Sequence, residues 1–188
     1  SVTFLGNFGT FNTNIFYRNS NLTPITYVQS KTGWPATFTL GVSGSVTAIP
    51  STFELGDLAY VITSATTVEV TGRASGSAVT DISIPDTVTN NGTTYSVTTI
   101  GDSAFLFKAL TSVTIGNSVT TIGDRAFADT GITSVTIGNS VTTIGLQAFN
   151  SNDLISLTLP DSVTTIEGNA FSNNELTSVT FLGNFGTF

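Results

Sequence analysis

The amino-acid sequence predicts a mostly-β solenoid of stacked 22-residue repeats, with β-hairpin caps and short one-turn helices. The first observation is a period: the motif Ser-Val-Thr-Thr-Ile begins at residues 96, 118, 140 and 162. The second is an aromatic side chain that recurs at the same step, at Phe105, Phe127, Phe149 and Phe171. The third is the small size of the 22-residue unit. One unit cannot bury its apolar side chains alone, whereas stacked units bury them in continuous ladders.

Each repeat divides into two short extended segments and a turn. Apolar and hydroxyl residues alternate in LTSVTI (110–115), which is typical of a half-buried strand. SVTTIG (118–123) predicts a second extended segment that ends on a glycine, where the chain can turn. Asp124 is then placed to cap a single helical turn that carries Phe127.

The chain is expected to contain parts of two arrays rather than one closed domain. Residues 79–188 read as a repeat array that continues beyond the chain, and the insertion TNNGTTYS (89–96) in its first repeat predicts a hairpin. Residues 58–78 read as the N-terminal β cap of that array, since an open end would expose core and strand edge. Residues 1–38 read as the end of another array with its C-terminal cap, and residues 39–57 as a connector.

The unit LTSVTIGNSVTTIGDRAFADTG (110–131) resembles the BspA-like class of leucine-rich repeat. Its Leu-x-x-Val-x-Ile frame carries the resemblance, which is strong over residues 79–188. Ser118 stands at the usual Asn/Cys position of the general leucine-rich pattern, a departure that this class often shows. The chain departs from the class itself in a slightly shorter period and in having no Cys in the turn after the Phe. The resemblance implies a leucine-rich-repeat fold and an extracellular or cell-surface location.

The stretch SVTFLGNFGTF occupies residues 1–11 and again residues 178–188, so the sequence that begins at residue 1 begins again at residue 178. The simplest interpretation is a window cut from a polymer of near-identical modules. One domain with similar terminal repeats, or a permuted or engineered chain, are the alternatives. The polymer predicts that modules stack end to end through these apolar residues: Val2, Phe4, Phe8, Phe11, Phe16, Leu176, Val179 and Phe181.

Composition excludes several functions. Charged residues make up only 9% of the chain and Lys plus Arg number five, without a cluster that could neutralise phosphates. Nucleic acid is therefore not an expected partner, and the apolar runs are too short for membrane insertion. The chain has no Cys and no His, which removes thiolate, imidazole and Cys/His zinc chemistry. No enzyme activity and no cofactor are expected, and calcium near the connector is the one alternative left open.

The expected function is structural and extracellular: tandem 177-residue modules, the step from residue 1 to residue 178, that form a long fibre or adhesive stalk. The expected partner is a neighbouring identical module. The alternative is a surface adhesin that binds glycans or host proteins through the repeat face. A surface ladder of hydroxyls, one per repeat, is the candidate for that face: Thr114, Thr136, Thr158 and Thr180.

Overall fold

The computed structural model describes residues 52–183 throughout, and before them the backbone of four short strands. These strands are β1 (Val2–Phe4), β2 (Ile25–Val28), β3 (Thr37–Thr39) and β4 (Ser45–Ile49). They form one sheet in the order β1-β2-β4-β3, parallel except for the β3–β4 pair. Three of the expected stacking residues, Phe8, Phe11 and Phe16, lie outside the described residues, as does part of the predicted connector.

Thirteen more strands follow, and nearly every repeat contributes two of them. They are β5 (Thr52–Leu55), β6 (Leu58–Ile62), β7 (Thr67–Arg73), β8 (Asp81–Ile84), β9 (Thr87–Asn90), β10 (Thr93–Ile100), β11 (Ser112–Ile115), β12 (Thr121–Ile122), β13 (Ser134–Thr136), β14 (Thr143–Ile144), β15 (Ser156–Leu159), β16 (Thr165–Ile166) and β17 (Ser178–Phe181).

The largest sheet joins strands β5–β7 to the repeats. Its order is β16-β14-β12-β10-β7-β6-β5, with β9 paired to β10 beside this path. From β7 to β16 the strands are parallel, and the ladder advances by one repeat at each step, as in Ile100↔Ile122↔Ile144↔Ile166. The other strand of each repeat lies in a second set of parallel pairs, β8-β11-β13 and β15-β17.

The predicted hairpin in the first repeat is present. Strands β9 and β10 pair antiparallel, with Asn90 opposite Thr93. Asn91 and Gly92 between them both have positive φ, at 49° and 80°. Two consecutive left-handed residues are the signature of the type I′ turn, whose twist suits a two-residue hairpin loop.

The expected one-turn helices are not formed, and residues 52–183 contain no helix. The segment after each glycine is a run of hydrogen-bonded turns, such as Ala126 N–H to the Gly123 carbonyl at 3.3 Å. Arg125 and Asp129 have φ of 55° and 53°, and left-handed residues at this spacing interrupt a right-handed helix. Their N–H groups bond instead to carbonyls of the next repeat.

The core lies between the two sets of strands and is one continuous cluster. The large sheet contributes an isoleucine from each repeat, the second set contributes alternate residues such as Val113 and Ile115, and the turns contribute the phenylalanines. Most of these side chains are fully buried because each repeat covers the next. The mostly-β structure and its repeat-by-repeat register therefore follow the sequence prediction.

Candidate interaction surface

The N-terminal end of the array is covered by the strands that precede it. Strand β7 pairs in parallel with β10, and Val68 and Val70 on it are fully buried against the first repeat. The Arg73 guanidinium donates from Nη2 to the Ala109 carbonyl at 2.9 Å, and the Ala74 N–H donates to a carbonyl in the β5–β6 turn. The first repeat is therefore covered on this side by β7 and the strands paired with it.

Within residues 52–183, the opposite end of the array is more exposed. Ile100, Ile122 and Ile144 are fully buried, but the next member of their ladder, Ile166, is 38% exposed. Val179 is 42% exposed, although Leu157, one repeat earlier in the same register, is only 4% exposed. We call this surface the open end, and it comprises Ile166, Phe171, Leu176, Val179, Phe181 and Leu182.

A stack of phenylalanine rings runs through the repeats and reaches the open end. The ring centroids of Phe105, Phe127, Phe149 and Phe171 are 5.0, 5.1 and 5.3 Å apart, and the successive rings are within 11° of parallel. Offset stacking at this distance adds to the stabilisation from apolar burial. The first three rings are fully buried, whereas Phe171 is only partly buried and has a described ring on one side.

Backbone donors also face outward at the open end. In each turn, alternate N–H groups donate to carbonyls of the following repeat, as Gln147, Phe149 and Ser151 do to residues 168, 170 and 172 at 2.7–3.1 Å. The equivalent groups of the last turn belong to residues 169, 171 and 173, and among the described residues no carbonyl accepts from them. Strand β17 pairs in parallel with β15.

The buried side chain of Asn152 is a hydrogen-bonding hub that the sequence pattern does not single out. Its Oδ1 accepts from the N–H groups of Thr130 and Ile132 at 3.2 and 3.1 Å, and from the Thr130 hydroxyl at 2.7 Å. Its Nδ2 donates to the Phe127 carbonyl at 2.8 Å. Asn174 repeats the arrangement one repeat later, so the recurrence of Asn at the repeat step was a usable signal.

Asn152 and Asn174 lie shortly before the leucines that open the strand segments, Leu154 and Leu176. Their amides tie the loop before each strand to the turn of the repeat before it.

The surroundings of one carboxyl group, that of Glu69, disfavour its charged form. Partial burial, reinforced by the negative charge of Asp102, raises the pKa of Glu69 above its usual value. Asp102 itself is used structurally, because its Oδ1 accepts the Asp124 N–H of the next repeat at 2.9 Å. Asp124 does the same for Leu146 at 2.9 Å. These aspartates therefore cap the neighbouring repeat, not a helix of their own.

The four threonines of the predicted surface ladder are all exposed. Thr114 is in register with Thr136, and Thr158 with Thr180. Ser83 adds a further hydroxyl beside Thr114. Another threonine column of the repeat uses its hydroxyls internally, since each donates to a carbonyl of the preceding repeat at 3.1–3.2 Å: Thr120, Thr142 and Thr164.

Of the expected stacking residues, Leu176, Val179 and Phe181 come together at the open end. Val2 and Phe4 lie in β1, where the backbone alone is described. Among the residues that the structure describes, no three His, Cys, Asp or Glu side chains are grouped as a metal site would require. Within the same residues no helix is long and apolar enough to span a bilayer.

Comparison with known proteins gives consistent matches. The sequence profile of the BspA type leucine-rich repeat region matches residues 74–188, with six copies. A leucine-rich repeat protein from Bacteroides capillosus is similar over 70% of this chain and 98% of its own, with 34% identity and a TM-score of 0.65. Among curated proteins no sequence matches.

Two further solved structures are similar over shorter parts of their own length. A leucine-rich repeat protein from Bacteroides ovatus has 26% identity and a TM-score of 0.55, over 68% of this chain and 40% of that one. The pneumococcal vaccine antigen PcpA has 21% identity and a TM-score of 0.58, over 70% of this chain and 38% of that one. The chain thus spans less than half of these two proteins, and PcpA supports the fold alone.

Proposed function

Since the chain belongs to the BspA type leucine-rich repeat family, we propose that it is a structural protein of the cell surface. In this proposal the protein is a tandem series of modules, and a new module begins at residue 178, whose sequence repeats that of residue 1. Together the modules form a long fibre or adhesive stalk. The load is carried by the repeats themselves, because the ladders of buried side chains and backbone hydrogen bonds run from each repeat to the next.

One observation carries the proposal: the same strand sequence occurs in two sheets with two different neighbours. β17 (Ser178–Phe181) pairs in parallel with β15, so that Val179 lies opposite Leu157 in the preceding repeat. β1 (Val2–Phe4) has the same sequence and pairs in parallel with β2, so that Val2 lies opposite Ile25 in the segment that follows it. If one strand had both neighbours, the sheet would continue from β15 through β17 to β2 and then β4 and β3.

The side chains that such a continuation brings to the open end fit its ladders. Extending the spacing of Phe149 and Phe171 by one more step reaches position 193. Because position 178 is residue 1 of the next module, position 193 is its residue 16, which is Phe. The same step from Ile166 reaches residue 188, which is also Phe. The aromatic stack and the isoleucine ladder would each gain an apolar member.

Polymers of one to four modules, joined so that residue 178 of one module is residue 1 of the next, test this function. Stacked coils advance by about 4.8 Å each, so the six repeats of the family profile predict an increment on the order of 30 Å or more per module. Small-angle scattering and electron microscopy should show thin particles whose length rises linearly with module number. Particles that stay compact, or modules that move independently, would contradict the proposal.

The second candidate is a surface adhesin, favoured by the exposed hydroxyl column of Ser83, Thr114 and Thr136. It predicts that a single module binds immobilised glycans or a host protein, and that Thr114→Lys with Thr136→Lys removes this binding. A stalk predicts no such binding by one module. The two functions therefore separate on glycan arrays probed with the single-module chain.

A further inference from the structure

We propose that a cavity beside β8, at the other end of the array, binds an extended segment of a partner polypeptide that carries a lysine or arginine side chain. The segment pairs with the outer edge of β8 and places its cationic side chain against Asp57 and Asp81. This site lies apart from the tandem joint of the proposed function.

The cavity exists because the two sets of strands end at different places. The large sheet runs on from β10 through β7 and β6 to β5, whereas the second set ends at β8 among the described residues. The space beside β8 has a volume of about 470 Å³ and is lined by the β5–β6 turn, by β8 and by β9. This volume is within the roughly 300–1,000 Å³ of typical ligand sites.

The outer edge of β8 offers backbone groups to a further strand. Successive backbone groups of a strand point to alternate edges, and the carbonyls of Thr80 and Ile84 accept from the next repeat at 2.7 and 2.9 Å. The N–H and C=O groups of Asp81 and Ser83 therefore face the other edge, where no described strand pairs with β8. An extended peptide can bond to both residues through its main chain, as in strand addition.

The charge of the cavity selects the side chain of the peptide. Asp57 and Asp81 are exposed and line the cavity, and its described lining residues include no Lys or Arg. One oxygen of each carboxylate accepts from a serine hydroxyl, at 2.8 Å for Asp57 and 2.6 Å for Asp81. The second oxygen of each can accept from a cationic donor. Because the whole chain has a net charge of −7, a basic segment of another protein is better matched to the site than a second copy.

Tyr60 adds a polar group to the apolar part of the cavity lining. Its side chain is 2% exposed, and its ring is stacked on Phe53 with the centroids 5.1 Å apart. Burial raises the pKa of Tyr60 to about 12, so the hydroxyl is protonated at neutral pH and can donate. Within the described part of the chain this hydroxyl has no hydrogen-bond partner. A carbonyl of a bound peptide can supply the acceptor.

Peptide titration followed by NMR of the isotope-labelled chain tests the site. The probes are three blocked pentapeptides, Thr-Val-Lys-Val-Thr, Thr-Val-Leu-Val-Thr and Thr-Val-Glu-Val-Thr. We expect the amide signals of Asp81 and Ser83 to shift while those of β13 stay in place. The lysine peptide should bind on the order of tenfold more tightly than the glutamate peptide. No shift of Asp81 and Ser83 with millimolar lysine peptide, or equal affinity for these two peptides, would overturn the proposal.

A charge-removing double variant tests the two carboxylates. Asp57→Asn with Asp81→Asn keeps an acceptor for both serine hydroxyls and removes the two charges. It should lower the affinity for the lysine peptide several-fold and leave the affinity for the leucine peptide unchanged. The matched control, Asp129→Asn with Asp153→Asn, removes two exposed charges elsewhere in the repeats and should change neither affinity. Equal effects of the two double variants would show that net charge attracts the peptide, and would overturn the proposal.

Tyr60→Phe separates a role in binding from a role in the fold. The substitution keeps the ring beside Phe53 and removes only the hydroxyl. All three peptides should bind several-fold more weakly, while the Tm of the free chain changes little because no internal hydrogen bond is lost. A lower Tm with unchanged peptide affinity would count against the proposal. The length of the covalent polymers does not depend on this cavity, so failure here would leave the tandem joint standing.

Discussion

Asn152→Ala should be the most destabilising polar substitution in the repeats. The change removes the acceptor of the Thr130 and Ile132 N–H groups, both of which lie in the buried hub. The Phe127 carbonyl keeps the Thr130 hydroxyl as a donor, 3.1 Å away, so it is not left without a partner. Two buried backbone donors are therefore the main loss.

The magnitude follows from that count. Each buried donor left without an acceptor costs about 1–3 kcal/mol, so the free energy of unfolding should fall by about 4 kcal/mol. For a chain of this size that corresponds to a decrease in Tm of about 8–16 °C. Urea and thermal unfolding followed by circular dichroism measure both quantities.

Two matched asparagines calibrate the result. Asn174→Ala leaves one donor, the Leu154 N–H, in a part-buried site and should cost about half as much. Asn139 is exposed and should tolerate Ala within about 0.5 kcal/mol. An Asn152→Ala variant as stable as Asn139→Ala would refute the assignment of the hub, as would a larger loss from Asn174→Ala.

Three further predictions concern packing and charge. Phe127→Ala removes a fully buried ring that is stacked on both sides, and it should lower the free energy of unfolding in urea by about 4 kcal/mol. Phe171→Ala at the open end should lower it by less, because that ring is only partly buried. Equal losses from the two substitutions would argue against an open end. The raised pKa of Glu69 means that its stabilising contribution is complete below the ordinary value of 4.5 and is lost as pH rises through the folded-state pKa. Glu69→Gln should thus raise Tm at pH 7 more than at pH 4, and the same gain at both pH values would contradict this. A methyl group on Gly138 would overlap a backbone carbonyl of the preceding repeat, so Gly138→Ala should lower the free energy of unfolding in urea by about 1–3 kcal/mol. The control is Gly168→Ala, which should be nearly neutral because its methyl group would meet only a leucine side chain at 3.4 Å. Equal effects of the two substitutions would refute the close approach at Gly138.

The ladders could be predicted from sequence because burial selects residue type at every step. Ile100, Ile122 and Ile144 are apolar for one reason, that each fills the same place between two repeats. The I′ hairpin was predictable for a different reason, since Asn91-Gly92 is the dipeptide that tolerates two left-handed residues. In both cases a local rule and the packing agree.

The turns could not be predicted in the same way. The left-handed position of each turn is occupied by Ser103, Arg125, Gln147 and Asn169, and three of these four are residue types that do not mark positive φ. The conformation is imposed by N–H groups that bond to the next repeat, and that is a tertiary effect. The same coupling hides the role of Asn152, whose partners Ile132 and Phe127 lie 20 and 25 residues earlier in the chain.

The most direct test is hydrogen exchange of the β17 amides, Ser178–Phe181, in chains with and without a continuation. The continuation is residues 12–49 appended after Phe188, which stands in the place of Phe11. Both chains are compared at concentrations where they are monomeric. The account predicts that exchange in β17 slows to the rate of β15 once the continuation is present. Unchanged exchange in β17 would show that the following segment does not cover the open end, and would contradict the tandem joint.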